Sequence, residues 1–349
     1  MVAALAAAQA EMARQGLSTV VEAGMNDLVF LKALRAVEEQ GLSKVRWQVR
    51  VTAGCYAQLD ADPSLAVATP WVEVLGVKLY SDGYLGSHVA ALVRPYSDMP
   101  GWYGVLAYDA DTALHHVRAA DGRGYNVATH AIGDRSATLM LDAYEAAGVT
   151  PAKRWSIEHA QVLPPALIDR MAAAGVVASI QFSFATTDQH FAEDRLGDRI
   201  DDAYQWRTLL ASGVPVAGGT DYPIEVLHPL WGVERTVTRQ ELDGSAAWRP
   251  EEALSVEQAL RAITWGQAYG SGEEHERGSI GIGKWADLVV LGADPFTVPP
   301  SELADLPVRL AVTNGQVTFE GEAAYPPANY IQSGATRSPQ ADRVAARHS

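Results

Sequence analysis

The chain of 349 residues is 48% hydrophobic and 20% charged, an ordinary globular composition at a length where barrels often form single domains. Its net charge of −15 argues against nucleic acid or an anionic membrane surface as a partner. The one cysteine, Cys55, rules out an internal disulfide framework and fits a reducing, cytoplasmic compartment, and no apolar run is long enough to span a bilayer.

The opening MVAALAAAQA lacks a basic leader and runs on into Glu11 and Arg14, so residues 1–15 read as a helix stopped by Gly16 rather than as a signal segment. Strands are expected over 18–23, 45–52 and 72–82, with a helix over 27–39 between the first two. A helix over 114–121 leads to a strand beginning at Tyr125, and a helix over 136–147 to one at Trp155. Helices over 165–174 and 199–212 then alternate with strands over 176–183 and 214–220. This alternation calls for an α/β fold with a parallel sheet, and it supplies seven βα units where a closed barrel of the TIM type has eight. After a helix over 256–264 the character changes. Asn314-Gly315 stands between two alternating runs, a strong hairpin signal, so 266–324 reads as a small β appendage to a barrel of residues 1–265. Residues 325–349 read as a loose polar tail.

Three metal-competent side chains end three of the barrel strands: His130 in THAIGDR, His159 in RWSIEHAQ and Asp221 in GGTDYP. Catalytic groups of parallel barrels stand at such strand ends, and neutral imidazole is a standard zinc ligand. A core histidine bonded to a backbone carbonyl, and an aspartate capping the next turn, are the plain alternatives. Lys78 lies inside an apolar run between Val77 and Leu79. A lysine there either reaches out to water or is buried with a lowered pKa. Asp134 is expected to cap the helix that starts near Ser136. His88 follows a strand end and is a candidate to touch substrate, as are Asp82, Trp102 and Tyr222 in neighbouring loops; Tyr84, Tyr103 and Phe182 are weaker candidates. The remaining histidines, His115, His116, His190, His228 and His275, read as surface or loop residues.

The segments GVKLYSDGYLGSHVAAL (76–92), THAIGDRS (129–136), RWSIEHAQ (154–161), GGTDYPIE (218–225) and GSIGIGKWADLVVLGADPF (278–296) together resemble the amidohydrolase superfamily, and most closely its family 3 branch, which includes N-substituted formamide deformylases. The resemblance runs in order from near residue 1 to about residue 320. It implies a metal-dependent (β/α) barrel with a composite β-sandwich appendage, and hydrolysis of a carbon–nitrogen bond in an amide or formamide. It implies one or two divalent ions, zinc before others, with His130, His159 and Asp221 as ligands and Asp221 as the proton shuttle. In several branches a lysine at the place of Lys78 is carboxylated and bridges two metals. The expected partner is a small-molecule amide, and association with further copies of the chain is left open. One departure is serious. Family members begin with sandwich strands and a first barrel strand ending in His-x-His, and no His-x-His occurs here. The expectation is therefore an N-terminally truncated chain, short of one βα unit and impaired or inactive as a hydrolase.

Overall fold

The computed structural model describes residues 1–241 and 246–323; the expected tail lies outside the described residues. Its centre is a seven-stranded parallel sheet in unbroken sequence order. The strands are β1 (Thr19–Met25), β2 (Arg46–Val51), β3 (Val72–Tyr80), β4 (Asn126–Ala131), β5 (Ser156–His159), β6 (Val177–Gln181) and β7 (Val216–Gly219). The helices are α1 (Val2–Arg14), α2 (Leu28–Glu39), α3 (Tyr56–Ala61), α4 (Ala110–Asp121), α5 (Asp134–Ala146), α6 (Pro165–Ala174), α7 (Phe184–Thr187), α8 (Gln189–Leu196), α9 (Trp206–Ala211), α10 (Pro229–Thr238), α11 (Val256–Arg261) and α12 (Gln267–Gly270). The seven expected strands are all present. Among the described residues β1 and β7 each pair on one side only, so the curled sheet is open between them there.

Local sequence explains most boundaries. Asp27 accepts a hydrogen bond from the Val29 N–H at 2.8 Å and starts α2, whose Leu28, Leu31, Leu34 and Val37 form one buried stripe. Asp109 does the same through the Thr112 N–H, which starts α4 four residues before the expected position. Two of these expectations need correction. Gly133, not Asp134, is the N-cap of α5; the Asp134 carboxylate instead accepts from the Val93 and Arg135 N–H groups. The helix expected over 199–212 is broken, because Ala203 bridges to Val162 and the Tyr204 N–H donates to the Gln161 carbonyl. What remains is a 3₁₀ turn, Gly197–Asp202, and the short α9. After α11 the helix widens into a π turn, Ala262–Gly266, which presses Gly266 so close to the Val216 carbonyl that a Cβ there would stand 2.2 Å from it.

The apolar outer faces of β3 to β7 share one continuous core with helices α4 to α6 and α9 to α11. α1, α2, β1 and β2 pack into a second, smaller core around Leu31, Leu34, Trp47 and Val49. The C-terminal part forms an antiparallel sheet of β8 (Leu288–Leu291), β9 (Val308–Thr313) and β10 (Gln316–Ala323), in the order β10-β9-β8. Asn314 and Gly315 both take positive φ at its hairpin, the geometry that Asn-Gly favours. Leu288, Val289 and Val290 on the edge strand β8 are exposed. No helix among the described residues is long and apolar enough to cross a membrane.

Candidate active site

Strand alternation decides which side chains enter the barrel. On β3, Val77 and Leu79 join the outer core, so Lys78 faces inward, and it is buried rather than reaching out to water. On β4, Val127 and Ala131 face the outer core and His130 faces inward. On β5, Ile157 faces outward and Glu158 inward, where Ser156 and Ser179 donate to its two oxygens at 2.7 and 2.8 Å. Alternation alone would point His159 outward. The backbone turns left-handed at His159 (φ 75°) and Ala160 (φ 46°), and this swings the ring round to the strand end.

The two imidazoles meet there. Their ring centroids are 4.4 Å apart in an edge-to-face arrangement. His159 Nδ1 lies 2.6 Å from Gln181 Oε1, and Phe184 stacks on the ring at 5.8 Å and 4°. The His130 Nε2 is buried without a hydrogen-bond partner, 3.4 Å from Asp82 Oδ1. Burial holds both rings neutral, His130 well below the usual imidazole range and His159 down to about 3, and the Lys78 charge adds to both effects.

Four charged groups share the interior. Burial lowers the Lys78 pKa against the pull of Glu158 and Asp221. Burial alone would raise Glu158, but Lys78, Arg50 and the two serine hydroxyls outweigh it and keep the carboxyl below its ordinary value; Arg50 Nη1 lies 3.6 Å away. Asp221 follows β7 with φ 56°. Its carboxyl is pushed up to about 6, by burial first, with Lys78 opposing and Glu158 assisting. Lys78 thus acts on both histidines and on Asp221, which ties the three strand ends to one region.

The other candidates have different surroundings. The Asp82 side chain has no exposed surface and accepts from the N–H groups of Ala91, Ile132 and Gly133 at 2.9 to 3.1 Å. It organises the loops after β3 and β4, and burial raises its pKa to about 7. His88 Nε2 pairs with Asp98 at 3.1 Å, and the Trp102 indole donates to the His88 carbonyl at 2.6 Å. Trp102, Tyr84, Tyr103 and Tyr222 are exposed in their loops. Phe182 is no pocket wall: it is buried in the outer core beneath Gly218. His228 is buried too, contrary to the surface reading, with Nε2 2.8 Å from the Ala304 carbonyl. Glu158 and Arg50 escaped the sequence reading, although period-two alternation of Ser156-Ile157-Glu158 held the signal. Glu225, pushed up to about 7 by burial and held by the Thr187 hydroxyl at 2.9 Å, had no such signal.

The fit to a metal can be tested on these atoms. Two neutral imidazoles in contact, one with a bare, unpartnered Nε2, are the donor type that zinc and similar ions prefer. Among the described residues no group of three or more His, Cys, Asp or Glu side chains closes on a metal-sized point. The pair therefore fits as part of a metal site, with Asp82 Oδ1 3.4 Å from His130 Nε2 and Lys78 coupled electrostatically to both rings and to Asp221.

Comparison with known proteins decides the family. The Amidohydrolase family model matches residues 1–319. The chain belongs to the amidohydrolase family. It is 37% identical over 254 residues to YtcJ of Bacillus subtilis, named as an amidohydrolase, covering 72% of this chain and 48% of that protein. It is 31% identical over 206 residues to the N-substituted formamide deformylase of Arthrobacter pascens, covering 56% of this chain and 37% of that protein. The fold matches a metal-dependent hydrolase of Pyrococcus furiosus of uncharacterised function with a TM-score of 0.74 and 28% identity, over 84% of this chain and 60% of that one. The chain spans about half the length, or less, of the curated relatives it matches.

Proposed function

We propose that this amidohydrolase-family chain serves hydrolysis of a non-peptide carbon–nitrogen bond, of the amide or formamide type, in a small molecule. The observation that carries the reading is the neutral His130–His159 pair in the field of the same Lys78 that acts on Asp221. The pair supports a divalent ion, zinc by its imidazole preference, and one or two ions fit the family. When bound, the metal supplies Lewis-acid activation of water and of the substrate carbonyl.

The chain's own groups do the rest. Asp221, with a pKa near 6, is ionised at neutral pH yet close enough to accept a proton from the attacking water and return it to the leaving nitrogen. Burial favours the neutral amine of Lys78, the form that takes up carbon dioxide; the new N–C bond releases a proton and leaves an anionic carbamate. Trp102, Tyr222 and His88 are proposed to meet the substrate from the loops. Asp82 serves by holding the loops after β3 and β4, since its carboxylate is taken up by backbone amides of Ala91, Ile132 and Gly133. The buried thiol of Cys55 supports a reducing, cytoplasmic setting, and the exposed β8 edge supports self-association.

A second reading is favoured by the open sheet. With β1 and β7 paired on one side only among the described residues, the chain by itself is proposed to be a poor hydrolase, because loose placement by about 1 Å can cost about a hundredfold in rate. Both readings are tested together. The purified chain with zinc is assayed on N-formyl and N-acyl amines beside a fusion carrying the part of the Bacillus subtilis relative that this chain does not match. The fusion is expected to turn over substrate at least tenfold faster, and Asp221→Asn in it to lower the rate by about 10²–10⁴. A fusion inert towards the whole panel would sink the first reading, and equal rates the second.

A further inference from the structure

Gln181 ends β6 with its side chain buried. Its Oε1 stands 2.6 Å from His159 Nδ1, while its Nε2 donates to the Ser179 carbonyl at 3.4 Å. Turning the amide round would set Oε1 against the Ser179 carbonyl oxygen, lone pair facing lone pair. The amide oxygen therefore faces the ring, and an amide oxygen can only accept. The ring is also wedged by Phe184, stacked parallel at 5.8 Å. We infer that Gln181 is a positioning residue that fixes His159 in the Nδ1–H tautomer and so bares its Nε2 lone pair at the strand end beside His130.

His130 stands against this ring, with its own Nε2 buried and without a hydrogen-bond partner. The tautomer of His159 rests on a single side chain. Such outer partners orient metal-binding histidines, and losing one costs about 10–100-fold in metal affinity. A neutral amide does this without adding charge to an interior that already holds Glu158 and Asp221.

The inference rests on the metal-hydrolase reading for its purpose but not for its test, which needs neither metal nor turnover. The full chain, metal-free and labelled with ¹⁵N-histidine, is examined by long-range ¹H–¹⁵N NMR at neutral pH, with the His159 signals assigned by their loss in His159→Asn. The parent is expected in the Nδ1–H form. Gln181→Glu keeps an acceptor and should keep that tautomer, whereas Gln181→Leu should shift the ring towards Nε2–H. Zinc affinity, read by chelator competition, should fall about 10–100-fold in Gln181→Leu and stay near the parent's in Gln181→Glu. An Nε2–H ring in the parent overturns the inference whether or not the leucine variant folds. So does a leucine variant with the parent's tautomer and zinc affinity. An Nδ1–H ring in a chain that takes up no zinc would sink the proposed function and leave the tautomer assignment standing.

Discussion

The two sides of the open barrel are built differently. From β3 to β7 the strands are sandwiched between a polar interior and a continuous outer core reaching from Val77 to Leu306. β2 is buried along its whole length but belongs to the smaller core, and β1 is only half-buried from Thr19 to Gly24. Lys78, His130, His159, Gln181 and Asp221 all belong to the first side. These candidate site groups sit where strands are packed on both faces; the other side contributes Arg50, whose Nη1 lies 3.6 Å from Glu158.

The largest test of this contrast is a truncation in each core. Trp155, buried against Tyr144 at 5.1 Å, should cost about 3–5 kcal/mol when changed to Ala. Val20→Ala on half-buried β1 should cost less than about 1 kcal/mol. Urea unfolding measures both, and equal losses would erase the distinction.

Next comes pH. The Asp82 pKa is raised from 3.8 to about 7 in the folded state, so the folded protein binds the extra proton across that window. Its stabilising contribution is present below about pH 4 and is lost as pH rises through about 7. At about 1.4 kcal/mol per pH unit, the chain should lose up to roughly 4 kcal/mol relative to Asp82→Asn over that range, as read by unfolding at both ends of it. His159, lowered to about 3, has the opposite sign: without metal it adds stability as pH rises from about 3 to 6.5. A flat difference between parent and Asp82→Asn would show that the loops after β3 and β4 are more open than this geometry.

Hydrogen exchange gives a finer reading. Amides of β1, with one paired edge and a half-buried face, should exchange at least about tenfold faster than those of β4, which pairs on both sides. Protection of β1 equal to that of β4 would mean that something covers its free edge. The smallest effect is expected on β8. Val289→Lys should change stability by less than about 0.5 kcal/mol while reducing self-association seen by light scattering.

Much of this was legible in the sequence because it depends on short-range rules. The seven parallel strands follow from apolar runs spaced by helical patterns, the hairpin follows from Asn314-Gly315, and His130 follows from a strand that ends in a glycine turn. The break in the helix expected over 199–212 was not legible, because it comes from the pairing of Ala203 with Val162 and of Tyr204 with Gln161, some 40 residues away in sequence. Nor was the loop-holding role of Asp82, whose partners are backbone N–H groups as far away as Gly133.

The sequence by itself determined which strands exist, their order, and which strand ends carry metal-competent side chains, since periodicity and turn chemistry act over a few residues. Only the tertiary structure decided where those side chains point and in what state they are held. His159 turns inward through a left-handed backbone at its strand end, and its ring is gripped by Gln181 and Phe184 from elsewhere in the chain. The neutrality of both imidazoles depends on burial and on Lys78, and the raised pKa of Asp221 on burial and on Glu158 against the pull of Lys78, charges brought close by the curl of the sheet. Desolvation and Coulomb interaction depend on distance in space, which a linear pattern does not carry.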